Sequence, residues 1–224
     1  MKKNLVFVVM ATALCTLSGT ALADSIKGKL GVTGRLGLMV PSDSEFTTAT
    51  AVTIIPSFTI GVIETGKGKA DTAFVGGGGF VYGVTDNFAI EVDVTHTPQI
   101  DYEFFGKQSF EITTTNVSLG LQYRFFPTNM LVPYLGAGVD FIISEGKYLG
   151  RDALDIETVV GDHLNAGVDL FITKRIALNA DFRGVLAPKA EINNRNLSLP
   201  GNFKAGEYDP ISFVGLFGVR FFLN

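Results

Sequence analysis

Apolar and polar side chains alternate along most of the chain beyond its first two dozen residues. Over 29–40 the even positions hold Leu30, Val32, Gly34, Leu36, Leu38 and Val40, and the odd ones hold Lys29, Gly31, Thr33, Arg35, Gly37 and Met39. A period of two puts successive side chains on opposite faces of a strand. The pattern returns over 71–82, 88–95, 113–125, 134–143, 164–170, 176–183 and 211–221. It predicts eight strands. Most are longer than the ~5–6 residues usual in soluble sheets and closer to the ~9–11 that a tilted membrane strand needs.

The connections sharpen this expectation. Three are short, around Thr85-Asp86-Asn87, Pro127-Thr128-Asn129 and Thr173-Lys174-Arg175, and four are long, over 41–70, 98–109, 145–158 and 188–209. Long and short alternate strictly, as they do when eight antiparallel strands close with both termini at one end. The more apolar face of each strand carries no Asp, Glu, Lys or Arg at its centre, as a lipid-facing surface requires. In a bilayer only a closed barrel satisfies every strand's backbone polar groups. The expected fold is therefore all-β: an eight-stranded antiparallel transmembrane β-barrel of meander topology, with short periplasmic turns and long extracellular loops. Within the first long connection, Val52, Ile54, Phe58, Ile60 and Val62 alternate around Pro56. They are expected to form a hairpin arm above the membrane or a lid over the mouth.

The first residues read as an address. Lys2 and Lys3 precede an apolar run over 5–17, and Ala21-Leu22-Ala23 supplies small residues before Asp24. Residues 1–23 are expected to be a cleaved secretory signal peptide and 24–224 the outer-membrane barrel domain of a Gram-negative bacterium. The full chain has a formal charge of −4, and loss of Lys2 and Lys3 takes it to −6 (−4 − 2). Such a surface repels nucleic acid. The one cysteine, Cys15, lies in the removable segment. That leaves no disulfide, Cys-ligated zinc or thiol nucleophile, and His96 and His163 alone supply metal sites poorly. No cofactor, metal or catalytic residue is expected. His96, on the outer rim, has no catalytic spacing around it, and His163 beside Asp162 reads as the polar end of a strand.

Four segments carry a family resemblance. TAFVGGGGFVYGVTDNFAIEVDVTHTP (72–98), NVSLGLQYRFFPTNMLVPYLGAGVDF (116–141), HLNAGVDLFITKRIALNADFR (163–183) and the closing FGVRFF resemble the OmpW family of small outer-membrane barrels. Two features depart from the family: the apolar insertion at 52–63, and the continuation past Phe222 to Leu223-Asn224. The resemblance implies an eight-stranded barrel with a role in admitting small hydrophobic molecules.

Eight strands enclose a space that side chains just fill. Sorted by depth, the inward positions near the short connections are Lys29, Glu91, Arg124, Tyr134, Asp169 and Arg220, a charge-paired plug. Near the long connections they are Met39, Val75, Ile112, Ile142, Val185 and Val214, a candidate apolar solute site. Inward glycines such as Gly37, Gly79 and Gly218 either leave a cavity or ease the coiling of a narrow barrel. Pro133, Gly184 and Gly215 are candidates for a lateral opening into the bilayer. Aromatic belts are expected at Tyr82, Tyr123, Phe125, Phe126 and Phe221 below, and at Tyr102, Phe104, Phe105 and Phe110 above. Expected partners are outer-membrane lipid and lipopolysaccharide, small hydrophobic solutes and the outer-membrane assembly machinery, the chain being a monomer or weak homo-oligomer. The competing reading is a structural or adhesive barrel whose loops bind a partner.

Overall fold

The computed structural model describes the backbone of residues 25–55, 58–104, 107–148, 151–194 and 204–223. The signal segment with Cys15, together with Pro56, Phe105 and Asn224, lies outside the described residues. The described strands, in chain order, are β1 (Leu30–Pro41), β2 (Ser44–Ile55), β3 (Phe58–Ala70), β4 (Ala73–Gly83), β5 (Phe88–Phe104), β6 (Lys107–Arg124), β7 (Leu131–Tyr148), β8 (Arg151–Ile156), β9 (Val159–Phe171), β10 (Ile176–Leu186), β11 (Ala190–Asn194), β12 (Lys204–Tyr208) and β13 (Ser212–Phe222). All pair antiparallel in one sheet, and no helix occurs among the described residues.

The sheet closes on itself. The order β7-β6-β5-β4-β1-β13-β10-β9 returns to its start because β9 pairs with β7 as well as with β10. Crossing the ladders one by one from Gly31 gives Val81, Glu91, Gly120, Gly138, His163, Val185, Ser212 and then Pro41, on the starting strand. The return lies ten residues (41 − 31) farther along β1. With ~3.3 Å per residue and ~4.8 Å between strands, that offset tilts the eight strands by about 40° from the ring axis.

A second closed circuit stands on the first. β5, β6 and β7, the long strands of 17, 18 and 18 residues, continue upward. There the ring is completed by β8, β11, β12, β2 and β3, and β3 pairs back to β5. These five strands occupy stretches expected to be loops, which corrects the count of eight. β8, β11 and β12 are only 5–6 residues long, too short for their period to show in sequence. The expected arm is the β2–β3 hairpin. It pairs with the ring only at its base, Phe46 and Glu45 to β12 and Lys69 and Ala70 to β5, and pairs with itself beyond.

Burial follows the alternation, with one face changing character along its length. On β7 the outward residues Leu135, Ala137, Val139, Phe141 and Ile143 are exposed and apolar, and the next two, Glu145 and Lys147, are charged. Exposed Leu36, Phe74, Leu121, Leu164, Phe182 and Phe217 continue the apolar belt around the lower ring. A water-facing sheet buries its apolar face; here the charged face is inside and the apolar face outside. Tyr102 and Phe110, expected in the upper aromatic belt, are instead fully buried inside the upper ring. They pack on Phe46, at 5.2 Å edge-on and 4.0 Å stacked respectively.

Glycine holds the ring tight. A Cβ on Gly79 would lie 2.1 Å from the Val92 carbonyl oxygen, and one on Gly218 2.0 Å from that of Gly34. These inward glycines admit close backbone approach under strong coiling. Two of the three lower turns share one device. Thr85 Oγ1 accepts from the N–H groups of Asn87 and Phe88, and Thr173 Oγ1 accepts from Arg175 and Ile176 in the same way.

Candidate functional site

The interior of the lower ring is built in three layers. At the bottom Ile26, Val81, Ala89, Val132, Phe171, Ala177 and Phe222 form a buried apolar cluster, with the Phe171 and Phe222 rings 5.7 Å apart. This seal lies beneath the charges and was not foreseen.

The charge layer rests on it. The Arg124 guanidinium lies 5.9 Å from the Phe222 ring centroid, and its Nη1 is 2.8 Å from Asp169. Arg220 is the hub. It donates from Nη1 to Asp169 (2.7 Å), from Nη2 to Glu91 (2.8 Å) and from Nε to Thr33 (3.0 Å), and its guanidinium lies over Tyr134. Glu91 also accepts from Arg35 and from Gln122. Tyr134 donates to Asp181 at 2.8 Å. Arg183 donates to Ser118 at 3.0 Å and lies 3.6–3.7 Å from Glu91, Asp93 and Asp181. His163 meets Asp140 at 3.0 Å. In a low-dielectric interior such charges persist only as pairs.

Of the expected plug residues, the structure joins Glu91, Arg124, Tyr134, Asp169 and Arg220 in this single network. Lys29 is a correction: it is half-buried at the lower rim, where its N–H donates to Ile26, rather than among the fully buried charges. Arg35, Asp93, Asp181, Arg183 and the His163–Asp140 pair were missed. Their parity was the available signal, since each shares the alternating inward face of its strand with a residue that was recognised. His163 is buried inside, correcting its reading as a strand end.

Above the charges lies a small cavity of about 30 Å³, lined by Met39, Val75, Ile142, Val185 and Val214 of the expected solute site. Ile112 is the exception, buried in the apolar cluster above without lining the cavity. Polar groups not named in the expected site complete the wall with Pro210 and Leu216: Thr95, Thr97, Thr114, Asn116, Arg183, Tyr208 and Ser212. Burial holds the Tyr208 phenol above its ordinary pKa, so it stays a neutral hydroxyl beside Thr114.

On the outward face a groove of about 740 Å³ runs across the wall at β10 and β13. Phe182, Phe213, Phe217 and Leu164 flank it, and Gly184 and Gly215 lie in its floor. Arg183 and Val214 line both this groove and the inner cavity. Pro133, the third expected opening residue, lies on β7 opposite Val168 and not in the groove.

A family model described as the outer membrane protein beta-barrel domain matches residues 7–206. The chain belongs to that family. The solved structure of the outer membrane protein OprG from Pseudomonas aeruginosa resembles the barrel with a TM-score of 0.71 at 15% identity, over 92% of this chain and 100% of OprG. The outer membrane protein AlkL, solved in lipid bilayers, gives 0.57 at 15% identity over 92% of this barrel and 94% of its own chain. Neisserial surface protein A gives 0.51 at 17%, over 86% and 96%. These likenesses concern the fold. No curated protein sequence matches the chain. Among the described residues no group of three or more His, Cys, Asp or Glu side chains is placed to hold a metal ion.

Proposed function

We propose that the mature chain, exported by its signal peptide, crosses the outer membrane with the eight strands of the lower ring and admits small hydrophobic molecules from outside. The three Thr- and Pro-containing turns face the periplasm. The upper ring, with its charged outer face, stands beyond the lipopolysaccharide headgroups. The outward change from Ile143 to Glu145 on β7 supports this placement.

A solute enters through the apolar upper interior and is stopped by the Arg220–Glu91–Asp169 network and the Phe171–Phe222 seal. It leaves sideways through the wall near Gly184 and Gly215 into the bilayer. The observation that carries this reading is that a partly apolar cavity above the charges and an apolar groove on the outer face are separated by a single residue layer at Arg183 and Val214. The rings of Phe213 and Phe182 lie 3.5 Å from where a Cβ of Gly184 or Gly215 would stand, so rotation of two rings uncovers the wall.

The test is uptake of a radiolabelled alkane by cells whose lipopolysaccharide leaflet is intact. Val75→Asp or Ile142→Asp is expected to slow barrel-dependent uptake several-fold while the protein still shows the heat-modifiable shift of a folded barrel. Unchanged uptake by correctly folded variants contradicts the reading.

A further inference from the structure

The cavity above the charge layer has a chemistry that an alkane does not use. Asn116 lines it, and the Oδ1 atom of Asn116 is buried without a hydrogen-bond partner. Thr97 lines it too, and its hydroxyl donates to the Met39 thioether at 3.5 Å, a weak acceptor. A buried acceptor without a donor is costly, as is a hydroxyl spent on sulfur. Both gain from one incoming group that donates to Asn116 and accepts from Thr97.

The cavity's size and charge narrow that group further. About 30 Å³ accommodates one or two heavy atoms, on the scale of ~10–15 Å³ needed for a water. A carboxylate is disfavoured, because Asp93 is buried nearby with both oxygens lacking hydrogen bonds and the adjacent Arg183 is already shared among Glu91, Asp93 and Asp181. Arg183 and Val214, paired with each other in the β10–β13 ladder, separate this cavity from the groove outside. We infer that the site selects neutral aliphatic alcohols: the hydroxyl seats between Asn116 and Thr97, and the chain lies along the apolar lining of Val75, Val185 and Val214. This rests on the uptake reading above and adds the class of solute.

The experiment compares initial uptake of radiolabelled hexan-1-ol, hexane and hexanoate by cells with an intact lipopolysaccharide leaflet, after subtraction of the rate in cells lacking the barrel. The native protein is expected to take up the alcohol several-fold faster than the alkane or the acid. In Asn116→Leu the alcohol-to-alkane ratio is expected to fall to about one, and Thr97→Val, a milder change, to lower it in part. Equal barrel-dependent rates for alcohol and alkane, or an alcohol preference that survives in folded Asn116→Leu, overturn this inference and leave the uptake reading standing. No barrel-dependent uptake of any of the three overturns both. Should Asn116→Leu not fold, the native ratio and Thr97→Val still decide.

Discussion

Individual residues show the inversion of this molecule most plainly. Leu119 projects outward, paired across the ladders with Val92 and Val139, and stays exposed. In a bilayer a basic residue at such a position costs about 2–4 kcal/mol. Leu119→Arg is accordingly expected to lower the urea midpoint of the barrel refolded in lipid vesicles by that equivalent; a surface leucine of a water-soluble sheet would lose almost nothing. Inside, Arg220 spans Asp169 and Glu91 with no exposure to solvent. Arg220→Met removes the cation shared by Asp169 and Glu91, leaving the first to Arg124 and the second to Arg35, and is expected to cost up to about 3–5 kcal/mol, read by the same unfolding curve. Glycine separates by face. Gly218→Val drives side-chain atoms into the Gly34 carbonyl and is expected to abolish the heat-modifiable band, whereas Gly34→Ala, with nothing within 4 Å of the new Cβ, is expected to leave it unchanged.

The circuit strands and the arm were legible in sequence because each alternates over about seven residues or more, long enough for the period of two to stand out. The β2–β3 hairpin showed through Val52, Ile54, Ile60 and Val62 for the same reason. β8, β11 and β12 were not legible: five or six residues with bulges beside them, as at Ile192/Asn193, carry too little pattern. The same limit explains Tyr102 and Phe110. Their aromatic character marks either a membrane interface or a core, and only the closure of the upper ring by β2 and β12 shows that they face inward. Since the outer part of the β2–β3 hairpin pairs only with itself, replacing residues 48–64 by a tight Asn-Gly turn between the paired Thr47 and Thr65 is expected to leave assembly and the unfolding midpoint unchanged. Loss of the folded band on gel electrophoresis would show that the arm is part of the ring's support.

At the scale of the whole molecule, an offset of ten residues around eight strands fixes a narrow, steeply tilted ring. Its interior is filled from the bottom upward by aromatic packing, then ion pairs, then a cavity of molecular size. The charge network was half legible. The inward parity of Glu91, Asp169 and Arg220 announced it, but the partners Arg35, Asp93 and Arg183 needed the register between strands that only the ladders supply. The Phe171–Phe222 seal depended on knowing that Phe222 turns inward while Phe221 turns out. Our proposal is that these layers close the axial route and that solute leaves through the wall between β10 and β13.

The most direct test of that claim measures solute and ion passage together, in vesicles carrying lipopolysaccharide in the outer leaflet and the refolded barrel. Radiolabelled apolar solute should enter faster than in barrel-free vesicles while ion conductance stays at background. Ion flux that rises in step with solute flux would mean an open axial pore, and folded barrel that passes neither would mean a structural or adhesive protein; either contradicts the account.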